Sequence, residues 1–244
     1  MRFADVIAVA FTQIRENKLR SFFTLVGIIV SVTFLVAVVA IISGMNAYVS
    51  EKLAGALIGK DAFQVRRIPI QVGFFDDEEW RRLQRRPRIT RADADAVIRA
   101  LPEAEAVSLQ SGWPAPVSDV FWRSRTIADV TIFGVTPDYQ VVQDYVFDRG
   151  EPLSDVDIRE RRFVAVVGAD IAEKLFENVD PVGQSIRIRG VPFEVIGVVA
   201  KKGRVLGQSF DGFVLLPLPT FEMVYGRRKT TTISVKMPSP EMIG

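Results

Sequence analysis

The pattern of apolar and polar positions divides the chain into two unlike stretches. Between Arg20 and Glu51 no charged residue occurs, and the centre of that interval, Phe22 to Ser43, reads FFTLVGIIVSVTFLVAVVAIIS. At about 1.5 Å per residue a helix of this length crosses a hydrocarbon core of roughly 30 Å. The pattern therefore predicts a transmembrane helix over 21–44. A buried helix of a soluble protein would be shorter and keep a polar face. A cleaved signal peptide has an apolar stretch of about 7–15 residues and a small-residue cleavage site, neither of which fits here. Ahead of the span, Phe3, Ile7, Ala10, Phe11 and Ile14 recur at helical spacing, with Arg2, Asp5, Gln13 and Glu16 on other faces. Residues 1–20 thus read as an amphipathic helix lying in the membrane interface, with packing on a soluble partner as the alternative. Gly27 and Ser31, and Ala40 and Gly44, are four apart, a spacing that lets two membrane helices approach closely.

Beyond the span the periods become mixed. Met45 to Gly59 reads as a helical continuation and Ala62 to Ile68 as a strand. The charged run FFDDEEWRRLQRRPR has Asp77–Arg81 and Glu78–Arg82 at helix-pair spacing and predicts a short surface helix. Thr90 with Asp93 forms a near-capping box before the stripe Ala94, Val97, Ile98 and Leu101. Residues 105–113 return to strand character, so 62–113 reads as a strand–helix–strand pairing unit. From about Pro114 short strands and turns dominate. They are Val130–Val135, Phe163–Val167, a short helix capped by Asp170, a turn at Asp180–Gly183, and a hairpin of Ser185–Arg189 with Phe193–Ala200 across Gly190 and Pro192. Phe213–Leu216 follows, and Thr230–Met237 is a last strand expected to pair with those around 62–68 and 105–113. Ser239-Pro240-Glu241 then opens a helix that stops within a turn, so the chain reads as cut short.

Charge fixes the orientation. Arg2, Arg15, Lys18 and Arg20 precede the span, whereas Lys52 and Lys60 are the nearest basic residues after it. The excess places the N-terminus in the cytoplasm and residues after about 45 outside. The net charge of +2 implies no nucleic-acid partner, and the arginines among Phe74, Phe75 and Trp80 read as a solvated surface or a contact with headgroups or a partner. The chain has neither cysteine nor histidine. This removes thiolate and imidazole metal ligands, cysteine nucleophiles and the Ser-His-Asp triad. Asp76, Asp77, Glu78 and Glu79 lack the spacing of a calcium loop. Gly197, Gly203 and Gly207 match no dinucleotide fingerprint, and no phosphate-cradling loop occurs, so the chain has no means of hydrolysing ATP by itself. No catalytic, cofactor-binding or metal-ligating residue is assigned.

Several segments resemble the MacB/FtsX-like ABC-transporter permeases, and in particular the MacB-type periplasmic core. They are ENKLRSFFTLVGIIVSVTFLVAVVAI, RITRADADAVIRALPEAEAVS, TIFGVTPDYQVV and the FDRGEPLS turn. FVAVVGADIAEKLFENVDPVGQSIRIRGVPFEVIGVVAKKG is the most specific, and DGFVLLPLPTF and TTISVKM follow in order. The resemblance implies a membrane-anchored α+β chain. Its parts would be a cytoplasmic elbow helix at 1–20, a transmembrane helix at 21–44, a βαβ porter-like external part at 45–113 plus 230–244, and a β-rich inserted part at 114–229. It implies a permease of four spans in the bacterial inner membrane, of which this chain would supply the N-terminal portion. It further implies work as a dimer with a cytoplasmic ABC ATPase subunit, contact with membrane lipid, and compatibility with a periplasmic adaptor. ATP-driven movement would reach the external domain for export or mechanotransmission. Rival readings are a single-span anchored binding or adaptor module and, further off, a receptor's sensor domain or an enzyme.

Overall fold

The structure, a computed structural model, describes residues 15–68, 76–111, 115–205, 208–226 and 231–243. The chain falls into two units, Met1–Glu51 and Lys52–Gly244. The amphipathic helix expected at 1–20 lies for the most part outside the described residues. Helix α1, Lys18–Ile58, begins in the first unit and ends in the second. Its Lys18–Gly44 stretch is long and apolar enough to cross a membrane, and none of that stretch is buried by protein. Phe22, Phe23, Phe34 and Leu35 are all more than half exposed, which in water would be costly and in lipid is not. Two of the hydroxyls in the span bond within the helix. Thr24 Oγ1 donates to the Arg20 carbonyl and Ser31 Oγ to that of Gly27, each at 2.8 Å.

The second unit starts from a three-stranded antiparallel sheet. Strand β1 (Ala62–Val65) and strand β2 (Ala106–Ser111) both pair with the last strand, β12 (Thr231–Lys236). β12 therefore joins both early strands, as its alternation suggests. β1 and β2, however, do not touch each other as a strand–helix–strand pair. They run parallel with β12 between them. Ile233 and Val235 of this sheet, with Met237 just beyond it, meet Ala94 and Val97 of helix α3 (Arg91–Ala100) and its C-cap residue Leu101. Helix α2 (Asp77–Arg85) precedes it and anchors through buried Leu83.

Helix α3 opens with the expected capping box. The Asp93 carboxylate accepts from the Thr90 amide at 2.7 Å, and Thr90 Oγ1 accepts from the Asp93 amide at 3.4 Å. Replacing Thr90 with Ala should cost about 1 kcal/mol in a urea-unfolding measurement. An unchanged midpoint would show that the box contributes nothing.

The remaining strands close a ring. These are β3 (Val117–Trp122), β4 (Arg125–Val135), β6 (Val164–Gly168), β7 (Ser185–Ile188), β8 (Val191–Val199) and β11 (Phe213–Pro217). Neighbours around the ring are β3–β4–β11–β6–β8–β7 and back to β3. Its interior holds Val120, Ile132, Val167, Ile186, Phe193 and Leu216, all completely or almost completely buried. The alternating inward and outward residues of β7, and the buried run of β6, are what closure requires. Strand β5 (Phe147–Gly150) adds to β8, and β9 (Arg204–Val205) pairs with β10 (Gln208–Ser209) as a small hairpin.

The ring has an approximate two-fold axis. Each half is a hairpin with a two-residue turn, followed by a five-residue strand that runs directly into an eight-residue helix. In the first half these are β3–β4, β6 and helix α6 (Ala169–Phe176), and in the second β7–β8, β11 and helix α7 (Leu218–Tyr225). Both turns begin with an arginine in the left-handed region, Arg123 and Arg189, each at φ +52°. Phe121 pairs with Arg187 and Val166 with Leu215, so the axis passes through corresponding residues of the two halves. Two local expectations are corrected here. Asp170 lies in the first turn of α6, whose N-cap is Gly168, because the strand enters the helix without a break. Pro192 lies inside β8 opposite Arg187, and only Arg189 and Gly190 form the turn.

Candidate functional site

No catalytic or metal residue was expected from the sequence. Among the described residues no cluster of His, Cys, Asp or Glu is placed to hold a metal ion. Of the carboxylate run, Asp76, Asp77 and Glu78 are exposed at the start of α2. The chemistry of the external unit is concentrated instead around helix α4 (Asp138–Val142) and the loop that leaves it.

Helix α4 lies on the polar face of the β1–β12–β2 sheet. Ser108, Gln110, Thr232 and Ser234 are buried there, opposite the apolar face that α3 covers. Tyr139, Gln140 and Val142 of the helix are buried, and Tyr139 packs with Val135, Leu153, Val166 and Phe213 on the side of the ring. Gln140 also ties the layer to the next segment, since its side chain accepts from the Leu153 amide at 2.9 Å and donates to the Leu153 carbonyl at 3.0 Å. Burial pushes the phenols of Tyr139 and Tyr145 well up.

Where α4 ends, its carbonyls collect two lysines. Lys236 Nζ donates to the Val141 carbonyl at 3.4 Å, and Lys202 Nζ donates to that of Gln143 at 2.5 Å, lying 4.4 Å from the Tyr145 ring centre. Cations at a helix C-terminus meet the negative end of its dipole. Asp144, left-handed at φ +52°, follows directly. Its carboxylate accepts from the Lys60 amide at 2.7 Å and from Lys236 Nζ. Removal from water would raise this carboxyl. The bonds from Lys236 and Lys60 and the charges of Lys236 and Lys202 outweigh that and hold it below its ordinary value. The same bond raises Lys236, whereas desolvation brings Lys202 down to about 8. Buried Asp211 completes the group, accepting from the Lys202 and Gly203 amides at 2.9 and 3.1 Å. Sequence reasoning missed this cluster, because its members are spread from residue 59 to residue 236 and none forms a local motif.

A separate cleft of about 340 Å³ lies along α6, β5 and the end of β8. Its floor is apolar, with Ala169, Ala172, Val179 and Val198. Its lining carries the acids Asp148, Glu173 and Glu177 against the bases Arg149 and Lys201. Lys201 pairs with Glu173 at 2.7 Å, and Arg149 faces Asp148 at 3.5 Å and Asp180 at 3.8 Å. The lining is slightly acidic, with most of its charge tied up in these pairs and in that of Glu177 with Arg125.

The sequence and the fold are similar to those of known proteins. Residues 21–243 match the family model of the MacB-like periplasmic core domain. The macrolide export ATP-binding/permease protein MacB of Chlorobaculum tepidum is 28% identical over 243 residues, covering 99% of this chain and 36% of that protein. Its namesake from Bdellovibrio bacteriovorus is 25% identical over 230 residues, or 93% of this chain and 34% of that one. The chain thus spans about a third of the length of these curated relatives. Among solved structures, the periplasmic region of MacB from Actinobacillus actinomycetemcomitans superposes with a TM-score of 0.58 at 19% identity, over 74% of this chain and 76% of that one. The extracellular domain of the transporter YknZ from Gram-positive bacteria gives 0.56 at 20% identity, over 75% and 86%. An apolar helix long enough to span a membrane leads into a β-rich unit of this fold, and with the family model matched across nearly its whole length the chain belongs to the family of MacB-like periplasmic core domains.

Proposed function

We propose that the chain is the N-terminal portion of a permease subunit of a MacB-type ABC transporter. It works as a dimer, beside a cytoplasmic ATPase, in the bacterial inner membrane. ATP binding and release in the ATPase moves the membrane helices, and the external unit carries that movement outward for export or mechanotransmission. The observation that carries the reading is the family match across 21–243, which takes in both the span and the external unit. The unbroken course of α1 from Lys18 to Ile58 supports it, because a continuous helix can convey displacement out of the membrane. We assign the chain no catalytic residue and place ATP hydrolysis in the partner.

Within the external unit we divide a porter-like part, 45–113 plus 230–244, from an inserted part, 114–229. Support comes from β12, which returns from the far end of the chain to lie between β1 and β2, and from the ring that the intervening strands close among themselves. The N-terminus is cytoplasmic and everything after about residue 45 external. Reporter fusions at residues 60 and 240 should both report an external location, and the mature protein should retain its N-terminal residues. A cytoplasmic signal at either site, or a mature N-terminus beyond residue 40, would refute the topology. Co-purification with an ATPase subunit, and nucleotide-dependent change in the permease, test the coupling.

A further inference from the structure

Three parts of the external unit converge on the loop Val141–Tyr145. The end of α1 reaches it through Gly59 and Lys60, the three-stranded sheet through Lys236, and the segment after β8 through Lys202. We propose that this loop is the joint at which displacement of α1 is handed to the strand ring, with Asp144 as the positioning residue that keeps Gly59 and Lys60 seated. The inference rests on the reading of the chain as a transmitting permease component.

Contact at the joint leaves no slack. Gly59 is buried at φ +88°, and a Cβ added there would stand 1.9 Å from the Val142 carbonyl oxygen and 3.3 Å from Asp144 Oδ2. Only glycine permits both the backbone angle and the approach. Two residues further on, Asp61 is itself left-handed at φ +52°, and its carbonyl accepts from the Met237 amide at 2.9 Å. The end of α1 is therefore held from one side by Asp144 and from the other by the exit of β12. A push along α1 meets backbone at once.

The seam between the sheet and α4 is a different kind of contact. Gln64 and Ser234 are register partners and so project to one face, and Arg66 continues that face close enough to Tyr139 to interact with it. Among the described residues the buried side-chain atoms without a hydrogen-bond partner are Gln64 Oε1, Arg66 Nε and Ser234 Oγ, all on this one seam. An interface with unpaired polar groups adheres weakly, because each group loses water without gaining a partner. This seam adds little to the coupling, which leaves two firm links between the end of α1 and the ring: the Asp144 contacts, and the pairing of β2 with β4 at Gln110 and Val135, where Leu109 and Thr136 also exchange hydrogen bonds at 2.9 and 3.0 Å. Only the first takes hold of Gly59 and Lys60 directly.

Because the chain has no cysteine, labels can be placed without background. Spin labels at Lys52→Cys and Val117→Cys, in the full chain in lipid nanodiscs, report on α1 against the ring. Labels at Val117→Cys and Glu160→Cys report on the ring and its attachments alone. The 52–117 distance distribution should be narrow in the parent chain and at least twofold broader with Asp144→Ala or Lys236→Met. The 117–160 distribution should not change, which also shows that the variants are folded. Equal 52–117 widths in all three chains would overturn the joint. A second arm uses the assembled permease–ATPase complex, with a fluorophore at 52 or at 117 and a quencher at the membrane surface. Nucleotide should change both signals in the parent, and Asp144→Ala should remove at least half of the change at 117 while keeping that at 52. A full response at 117 in Asp144→Ala overturns the proposal. Silence of both labels in the parent instead overturns the transmission reading, with the first arm still deciding whether the loop is a rigid joint.

Discussion

Gly134→Ala should destabilise the external unit by about 1–3 kcal/mol, and Phe221→Ala should relieve part of that cost. Gly134 sits in β4, and a Cβ there would lie 2.5–2.7 Å from the root of the Phe221 side chain in α7. Those atoms cannot swing aside as the far end of a long side chain can, so either the helix or the strand must shift. Phe221 is completely buried and stacks on Tyr225 with ring centres 4.8 Å apart. Alone, Phe221→Ala should cost about 3–5 kcal/mol through lost burial and the cavity left behind. In the double variant the close approaches to Phe221 Cγ and Cδ1 are gone, the one to Cβ at 2.6 Å remains, and the emptied ring space lets α7 give way. Urea unfolding of the four chains should give a total smaller than the sum of the single effects by about 1 kcal/mol. Additivity within about 0.5 kcal/mol would mean that β4 and α7 are not packed as described.

Between pH 8 and pH 10 the external unit should become more stable as the pH rises. Lys202 is the cause. Desolvation lowers its pKa to about 8, against an ordinary 10.5 in the unfolded chain. In that window the unfolded chain holds a proton that the folded one has released, so raising the pH favours folding. The limiting slope is about 1.4 kcal/mol per pH unit. Because Lys202 is only partly buried, about 1–2 kcal/mol in total is expected. Above about pH 10 the trend should reverse, because the raised phenols of Tyr139 and Tyr145 keep protons that their unfolded counterparts lose. Lys236, whose pKa is raised, adds to the loss above 10.5. Lys202→Met should flatten the rise and be at least as stable as the parent at neutral pH. A parent whose midpoint does not change between pH 8 and 10, or a variant that keeps the rise, would show that Lys202 is not desolvated.

The span was legible because its signal is local and long, with no charge from Arg20 to Glu51. The start of α3 was equally legible, since a capping box needs only residues three apart. β12 was placed by its alternation of Ile233 and Val235 with Thr232 and Ser234, though not its position between β1 and β2. Closure of the ring was not legible. It depends on Phe213–Pro217 lying parallel to Thr131–Val135, a pairing between distant segments that leaves no periodic trace in either. Both strands look like ordinary buried apolar runs, and their partners are set by the whole arrangement. The Asp144 cluster was hidden for the same reason. Asp144 reads as an unremarkable turn residue until Lys60 and Lys236 are brought to it.

The approximate two-fold axis of the ring makes its halves mutually dependent. Each hairpin–strand–helix unit lays its strand parallel to the other's hairpin, so neither half completes its own sheet and the ring should unfold as one cooperative unit. The halves differ in the segment between hairpin and strand. In the second half residues 200–212 carry a small hairpin, β9–β10. In the first half residues 136–163 carry α4, β5, helix α5 (Asp155–Arg159) and the loop that meets the end of α1. The symmetry is thus broken on the side where the ring meets that helix.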